Sequence, residues 1–270
     1  MSHDLRHQLN QALTAMEASF HVHVIGTFGD ALVCAPAEAV AAEWLAQNEP
    51  DFDQFPVKRG AETIGVLRRA AVKGTLRVEE AMQPLREGLV VSAHMPITDL
   101  IPKLKDNSYR LVLRGAQIDG LVTHSDLLKL PVRIVAFSLL THLELVMAAR
   151  IAERWPSDDD WFGLLSEGRQ EIIRKKQLNL AGQRMNPKLL ELTDFCDKRT
   201  LCRRLVENKG VFERDLKGIE ALRNQVAHAG DFLDPSLGAG AVTAFVERFE
   251  SAKHWIHELS ADGHEQASTT

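Results

Sequence analysis

Apolar positions change their rhythm once along this chain: residues 24–130 carry short apolar runs broken by turn residues, and later residues carry long runs at helical spacing. The short runs at 31–34, 55–57, 63–67, 89–91, 110–113 and 120–123 have strand length and sit among glycine, proline and aspartate, which predicts strands. Helical spacing at 37–47 and 97–105 predicts helices between them. Beyond Leu130-Pro131 the pattern predicts helices over 132–155, 158–183, 186–207, 212–229 and 240–259. The first stops before Pro156, and Asp158-Asp159-Asp160 opens the second through the helix dipole. At the N-terminus, Leu5, Leu9, Ala12, Leu13, Met16 and Phe20 predict an amphipathic helix within residues 1–23, without the unbroken apolar block of a signal peptide. Residues 261–270 read as a disordered tail. The expected fold class is α+β: a mixed α/β module over 24–130, then an all-α bundle over 131–260.

Composition narrows this picture modestly. The 270 residues are 45% hydrophobic, enough for one large or two modest cores, and two domains are the expectation. The most apolar window, 132–151, contains Arg133, His142, Glu144 and Arg150, so it predicts a buried helix and no membrane partner. Cys34, Cys196 and Cys202 lack paired metal-ligand spacing, and their odd number argues against a disulfide framework; a reducing cytoplasm is the expected location and no metal is expected. The net charge of −5 gives no global attraction to nucleic acid. Locally, Arg169, Arg174, Lys175, Lys176, Arg184, Lys188, Lys198, Arg199, Arg203 and Arg204 stand against only Glu171, Glu191, Asp194 and Asp197. That segment predicts either a basic face open to phosphates or a solvated surface laced with ion pairs.

The mixed half repeats itself. Residues 30–71 and 89–128 share the order strand, short helix, strand, strand, and Gly65 to Ala71 falls where the second copy has Gly120 to Asp126. Gly120-Leu121-Val122-Thr123-His124-Ser125-Asp126-Leu127 resembles the closing strand and helix start of a CBS domain, and Val78-Glu79-Glu80-Ala81-Met82 resembles the segment between two CBS repeats. The resemblance covers about residues 24–130. It implies a tandem pair with clefts for adenine nucleotides (AMP, ADP or ATP), where Asp126 accepts from the ribose hydroxyls and Thr123 assists. His124 and Arg69 occupy matching places and would meet phosphates, while Ala71 in place of an aspartate leaves the second copy's site as the intact one. Without the resemblance, Asp126 reads first as a helix cap that needs no ligand.

In the helical half, Arg223-Asn224-Gln225-Val226-Ala227-His228 joins a guanidinium, an amide and an imidazole. Arg223 and His228 differ by about 140° on an ideal helix, whereas Asn224 and His228 share a face, so convergence on one phosphate requires a helix end or a second copy. The hexapeptide resembles the Arg-Asn-x-x-x-His motif of the HEPN family, and residues 132–260 resemble its helical domain. That resemblance implies a metal-independent endoribonuclease, a hydrolase whose dimer pairs two motifs. His228 would be general acid or base, Arg223 would stabilise the phosphate, and Asn224 would orient the group or the RNA. Family members that carry a modifiable tyrosine have it where this chain has Gly230. A purely structural reading has Arg223 paired with Glu220 or Asp231 and His228 at a helix C-terminus. Glu144, on an apolar helix, needs a partner, either beside the cleft or at Arg150.

Together these features predict a homodimer in which an adenine nucleotide regulates RNA cleavage, with no cofactor for catalysis; by analogy alone it suits stress response or phage defence. The competing expectation is a nucleotide sensor whose helical half only dimerises or binds RNA or protein.

Overall fold

The computed structural model describes residues 11, 14, 15, 17–48, 51–183, 185, 187–228, 233 and 240–261. They form two compact units. One comprises residues 17–132, and the other runs from residue 133 onward and includes the described residues before 17. The division falls two residues beyond the expected boundary. The expected tail and Gly230 lie outside the described residues, as does most of the expected N-terminal helix.

In the first unit the elements are β1 (Thr27–Phe28), β2 (Ala35–Pro36), α1 (Ala41–Gln47), β3 (Gln54–Arg59), β4 (Glu62–Arg68), α2 (Val78–Ala81), β5 (Gln83–Pro84), β6 (Val90–Ser92), α3 (Ile97–Lys103), β7 (Tyr109–Arg114) and β8 (Gln117–Thr123). They make two four-stranded sheets, ordered β2-β3-β4-β5 and β1-β8-β7-β6. Each repeat supplies a parallel pair, β2 with β3 or β6 with β7, followed by an antiparallel hairpin with a bulge at the same place, after Val57 or Val112. The fourth strand is exchanged. β1 precedes the first repeat yet pairs with β8 of the second, and β5 precedes the second yet pairs with β4 of the first.

Glycine permits that exchange. A Cβ on Gly65 would lie 2.4 Å from the Gln83 carbonyl oxygen, and one on Gly120 would lie 2.3 Å from Cε1 of Phe28. On β4, Leu67 joins a core with Phe55, Val57, Leu45 and Val78, while its neighbour Val66 packs with Leu89, Tyr109, Leu111 and Leu121. Both faces of that strand are therefore covered, which suits its nearly continuous apolar run. Thr63 donates its hydroxyl to the carbonyl of Ile118, 55 residues on, at 2.8 Å, and so ties the two hairpins together.

The predicted strand at 31–34 is absent. A 3-10 turn covers Gly29–Ala31 and pairing begins only at Ala35. The strand is two residues long and ends in Pro36, which lacks the donor needed to continue a ladder. Leu32 and Val33 instead line a cleft.

The second unit contains α4 (Leu130–Arg154, whose first three residues belong to the first unit), α5 (Asp158–Phe162), α6 (Glu167–Gly182), α7 (Phe195–Cys202), α8 (Lys209–Ala227) and α9 (Gly240–Ala261). Pro131, expected in a link, lies in the first turn of α4, where its missing N–H costs nothing. The helix expected over 158–183 is two helices, with Ser166 as N-cap of α6. The one expected over 186–207 shrinks to a 3-10 turn at Leu189–Leu192 and α7, because the Asp194 backbone N–H bonds the Asp197 carboxylate and starts a new helix there. On α8, Phe212, Leu216, Ile219, Leu222 and Val226 form one buried stripe. It packs against α9, where the Phe212 and Trp255 rings meet edge to face at 4.9 Å. α4 is, by length and composition, apolar enough to cross a membrane, with mean hydropathy 1.7. Val135, Leu139, Leu140, Leu143, Met147 and Ile151 along it are buried inside the protein, as a core helix requires.

Candidate functional site

In the first unit a cavity of about 510 Å³ opens beside the end of β8. Thr123, His124 and Asp126 line it, together with Leu32, Val33, Phe52 and Leu121 as apolar wall, and Asp51, Asp53, Arg68 and Ser108 as polar wall. Asp126 is 5% exposed. Its Oδ2 accepts from the Thr123 N–H at 2.6 Å and the Thr123 hydroxyl at 3.2 Å, and its Oδ1 meets Lys129 Nζ at 2.6 Å. The carboxylate thus caps the 3-10 turn His124–Leu128 and is ion-paired. Oδ1, which meets Lys129 alone, retains one acceptor site for a diol. The capping and binding readings of the sequence are compatible in one side chain.

His124 and Arg69 do match across the repeats, but both are tied down by carbonyls. The His124 ring Nε2 donates to the Leu104 carbonyl at the end of α3, at 2.8 Å. Arg69 donates to the carbonyls of Phe52, Leu45 and Asn48 around the end of α1, at 2.8–3.4 Å. Donors placed at a helix C-terminus satisfy its orphan carbonyls. Arg69 does not line the cavity; its neighbour Arg68, which sequence reasoning passed over, does. The strand's alternation could have found it, since adjacent residues of a strand point to opposite faces.

In the helical unit, α8 ends at Ala227, and His228 is its C-cap in extended conformation, with an exposed side chain. Arg133 donates to the His228 carbonyl and fixes the chain there. Asn224 is exposed one turn earlier. Arg223 turns elsewhere: its guanidinium meets Glu144 Oε2 at 3.3 Å, while Lys198 Nζ meets Glu144 Oε1 at 3.0 Å. Lys198 also donates to the Thr193 carbonyl at 2.7 Å, and its side chain is 7% exposed. Glu144 therefore carries two cations, neither of them Arg150, which pairs with Glu153. Glu220, an alternative partner for Arg223, is held by Arg199. The hexapeptide is brought to a helix end, with its imidazole and amide in solvent and its guanidinium braced on one carboxylate.

The basic stretch 169–204 is partly neutralised. Arg169 forms a two-pronged bond to Asp197 at 2.7 Å in each arm and also reaches Asp194, as does Lys176. Lys175 pairs with Glu171, Lys198 with Glu144, and Arg199 and Arg203 with Glu213. Six of its ten cations are thus ion-paired, while Arg174, Lys188 and Arg204 form no ion pair among the described residues and Arg184 lies outside them. Among the described residues, no group of three or more metal-ligating side chains could hold a metal ion.

No family model matches the chain. No curated protein matches it. Solved structures that resemble it include CBS domains. That of a bacterial CNNM/CorC family Mg2+ transporter in complex with ATP is 20% identical, with 45% of this chain and 93% of that one covered and a TM-score of 0.36. CBSX2 in complex with AMP is 16% identical over 43% of this chain and 98% of its own, with a TM-score of 0.37. A hemolysin-like CBS protein of Oenococcus oeni PSU is 14% identical over 44% and 94%, with a TM-score of 0.35. These are resemblances, and the case for a ligand site rests on this chain's own cleft.

Proposed function

We propose that residues 17–132 are a tandem CBS-type module that binds an adenine nucleotide beside Thr123 and Asp126, and that the nucleotide regulates the helical unit. The observation that carries this is the cleft itself. It offers an apolar wall for a base, a buried carboxylate with one spare acceptor site for a ribose hydroxyl, and the Arg68 guanidinium for a phosphate. Calorimetry with AMP, ADP and ATP tests it: the wild type binds one of them, and Asp126→Ala weakens that binding at least tenfold. Absence of binding by all three overturns the reading.

For the helical unit the reading is a metal-independent endoribonuclease that works as a homodimer. His228 at the exposed helix end takes the proton of a ribose 2′-hydroxyl, whose oxygen attacks the adjacent phosphorus. The P–O5′ bond breaks, leaving a cyclic phosphate and a 5′-hydroxyl that receives a proton from an imidazolium. An imidazole can both accept and donate a proton and so suits both transfers. Arg223 needs only one of its N–H groups for Glu144, so the others can stabilise the charged phosphate, and Asn224 orients the RNA. Incubation with total RNA in chelator should give cleavage that His228→Ala and Arg223→Ala each abolish. Unchanged cleavage in either variant overturns the assignment.

The ion pairing of six cations within 169–204 favours one other reading, a non-catalytic sensor whose bundle dimerises or binds a partner. In that case the wild type leaves RNA intact while still binding nucleotide.

A further inference from the structure

Resting on the nucleotide reading of the cleft, we propose that Lys129 is a ligand-released latch on the start of α4, through which a ribose diol at Asp126 acts on the helical unit. A carboxylate has about four acceptor sites. On Asp126 three are filled by the protein's own donors: the Thr123 N–H and hydroxyl at Oδ2, and the Lys129 ammonium at Oδ1. A diol brings two hydroxyl donors where one site is left, so seating both requires a protein donor to leave. The Thr123 N–H is fixed by the backbone at the end of β8, and its hydroxyl belongs to the same cap of the turn His124–Leu128. Lys129 is the donor that leaves at least cost. Its side chain is 45% exposed, so water can take up the ammonium, and the Ile25 carbonyl remains as its second acceptor. Lys129 does not line the cleft, so its departure takes no contact from the ligand.

The same residue sits where one element hands over to the next. Its backbone N–H donates to the Asp126 carbonyl at 3.2 Å and ends the 3-10 turn, and its carbonyl accepts from the Val132 N–H at 3.0 Å and starts α4. Lys129 thus joins the carboxylate of the cleft to a helix that continues without a break to Arg154. Arg133, four residues further on in the first turn of α4, donates to the His228 carbonyl at the end of α8. With the ammonium on Oδ1, side chain and backbone both pin the start of α4 to the turn. Once it leaves, the backbone bonds remain and the side chain holds only to Ile25. The first turn of α4 then frays more readily, and the chain end that Arg133 holds loosens with it.

Hydrogen exchange on the full chain tests the latch with AMP and with 2′-deoxyAMP, each at saturation as judged by calorimetry. AMP should speed exchange of the backbone amides of residues 132–138 about threefold. The 2′-deoxy compound, whose single ribose hydroxyl fits the spare site, should leave it unchanged. Lys129→Met should abolish the response to AMP and bind AMP about threefold tighter than wild type, because no ion pair is broken on binding. Lys129→Gln, which keeps a donor for the Ile25 carbonyl, should give the same two results and serves where the methionine variant is unstable. Exchange at 132–138 that AMP leaves unchanged, or that 2′-deoxyAMP speeds equally, overturns the latch while the cleft reading stands. AMP binding no tighter in the lysine variants than in wild type does the same. Failure of AMP, ADP and ATP alike to bind removes the cleft reading, and the latch with it.

Discussion

At the scale of single residues, Asp126 holds two jobs that substitution can separate. Asp126→Asn keeps an oxygen for the Thr123 N–H but loses the charge that Lys129 and a ribose diol see; Asp126→Ala loses the cap as well. Urea unfolding without nucleotide should show Ala costing about 1 kcal/mol more than Asn, while calorimetry shows both weakening nucleotide binding. Asp51 and Asp53 share the cleft with Arg68, so each added phosphate brings more repulsion. The expected order is AMP tighter than ADP tighter than ATP, and Asp51→Asn with Asp53→Asn together should compress it. His142 poses a different problem. Burial holds its imidazole below the ordinary pKa, and its Nε2 is buried without a hydrogen-bond partner among the described residues. The unfolded chain therefore binds a proton more readily than the folded one, so stability is full above about pH 6.5 and falls as pH drops below it toward the depressed value. In His142→Leu, thermal unfolding between pH 5 and 7 should lose that slope; an unchanged slope would assign it to other groups.

Between elements, two contacts should respond differently to the same kind of change. Gly65→Ala drives a methyl into the Gln83 backbone, which cannot move aside, whereas Gly120→Ala meets the Phe28 ring, which a second substitution can remove. Phe28→Ala should therefore restore part of the stability lost in Gly120→Ala, and no side-chain truncation should rescue Gly65→Ala. The Glu144 and Lys198 pair joins α4 to α7. Glu144→Ala leaves a buried ammonium without its counter-charge and should cost about 3 kcal/mol, while Glu144→Leu with Lys198→Met together should cost much less; denaturant unfolding of the single and double variants measures both. The repeat was legible in the sequence because Gly65 and Gly120 fall at matching places in two similar runs. β1 and β5 were not, since two residues carry no periodicity. Thr123 and Asp126 were legible because they adjoin in sequence. Arg68, Asp53 and Ser108 were not, because only strand pairing brings them to one cleft. The partners of Glu144 were illegible for the same reason: Lys198 and Arg223 lie 54 and 79 residues away.

For the whole molecule, a ligand of one unit should be visible in calorimetric melting. Nucleotide at a hundredfold excess over its dissociation constant stabilises the unit that binds it by about 2.7 kcal/mol. Exchange protection should rise on β7 and β8 in that experiment. The strand exchange between repeats also sets an order of events during synthesis. Thr27–Phe28 has no partner until Gln117–Thr123 follows, and the outer edge of β4 stays open until Gln83–Pro84 arrives. Neither half can close by itself, so the nascent chain carries an unpaired edge through most of this unit's translation, and a stall between the repeats would leave that edge free to capture a neighbouring chain.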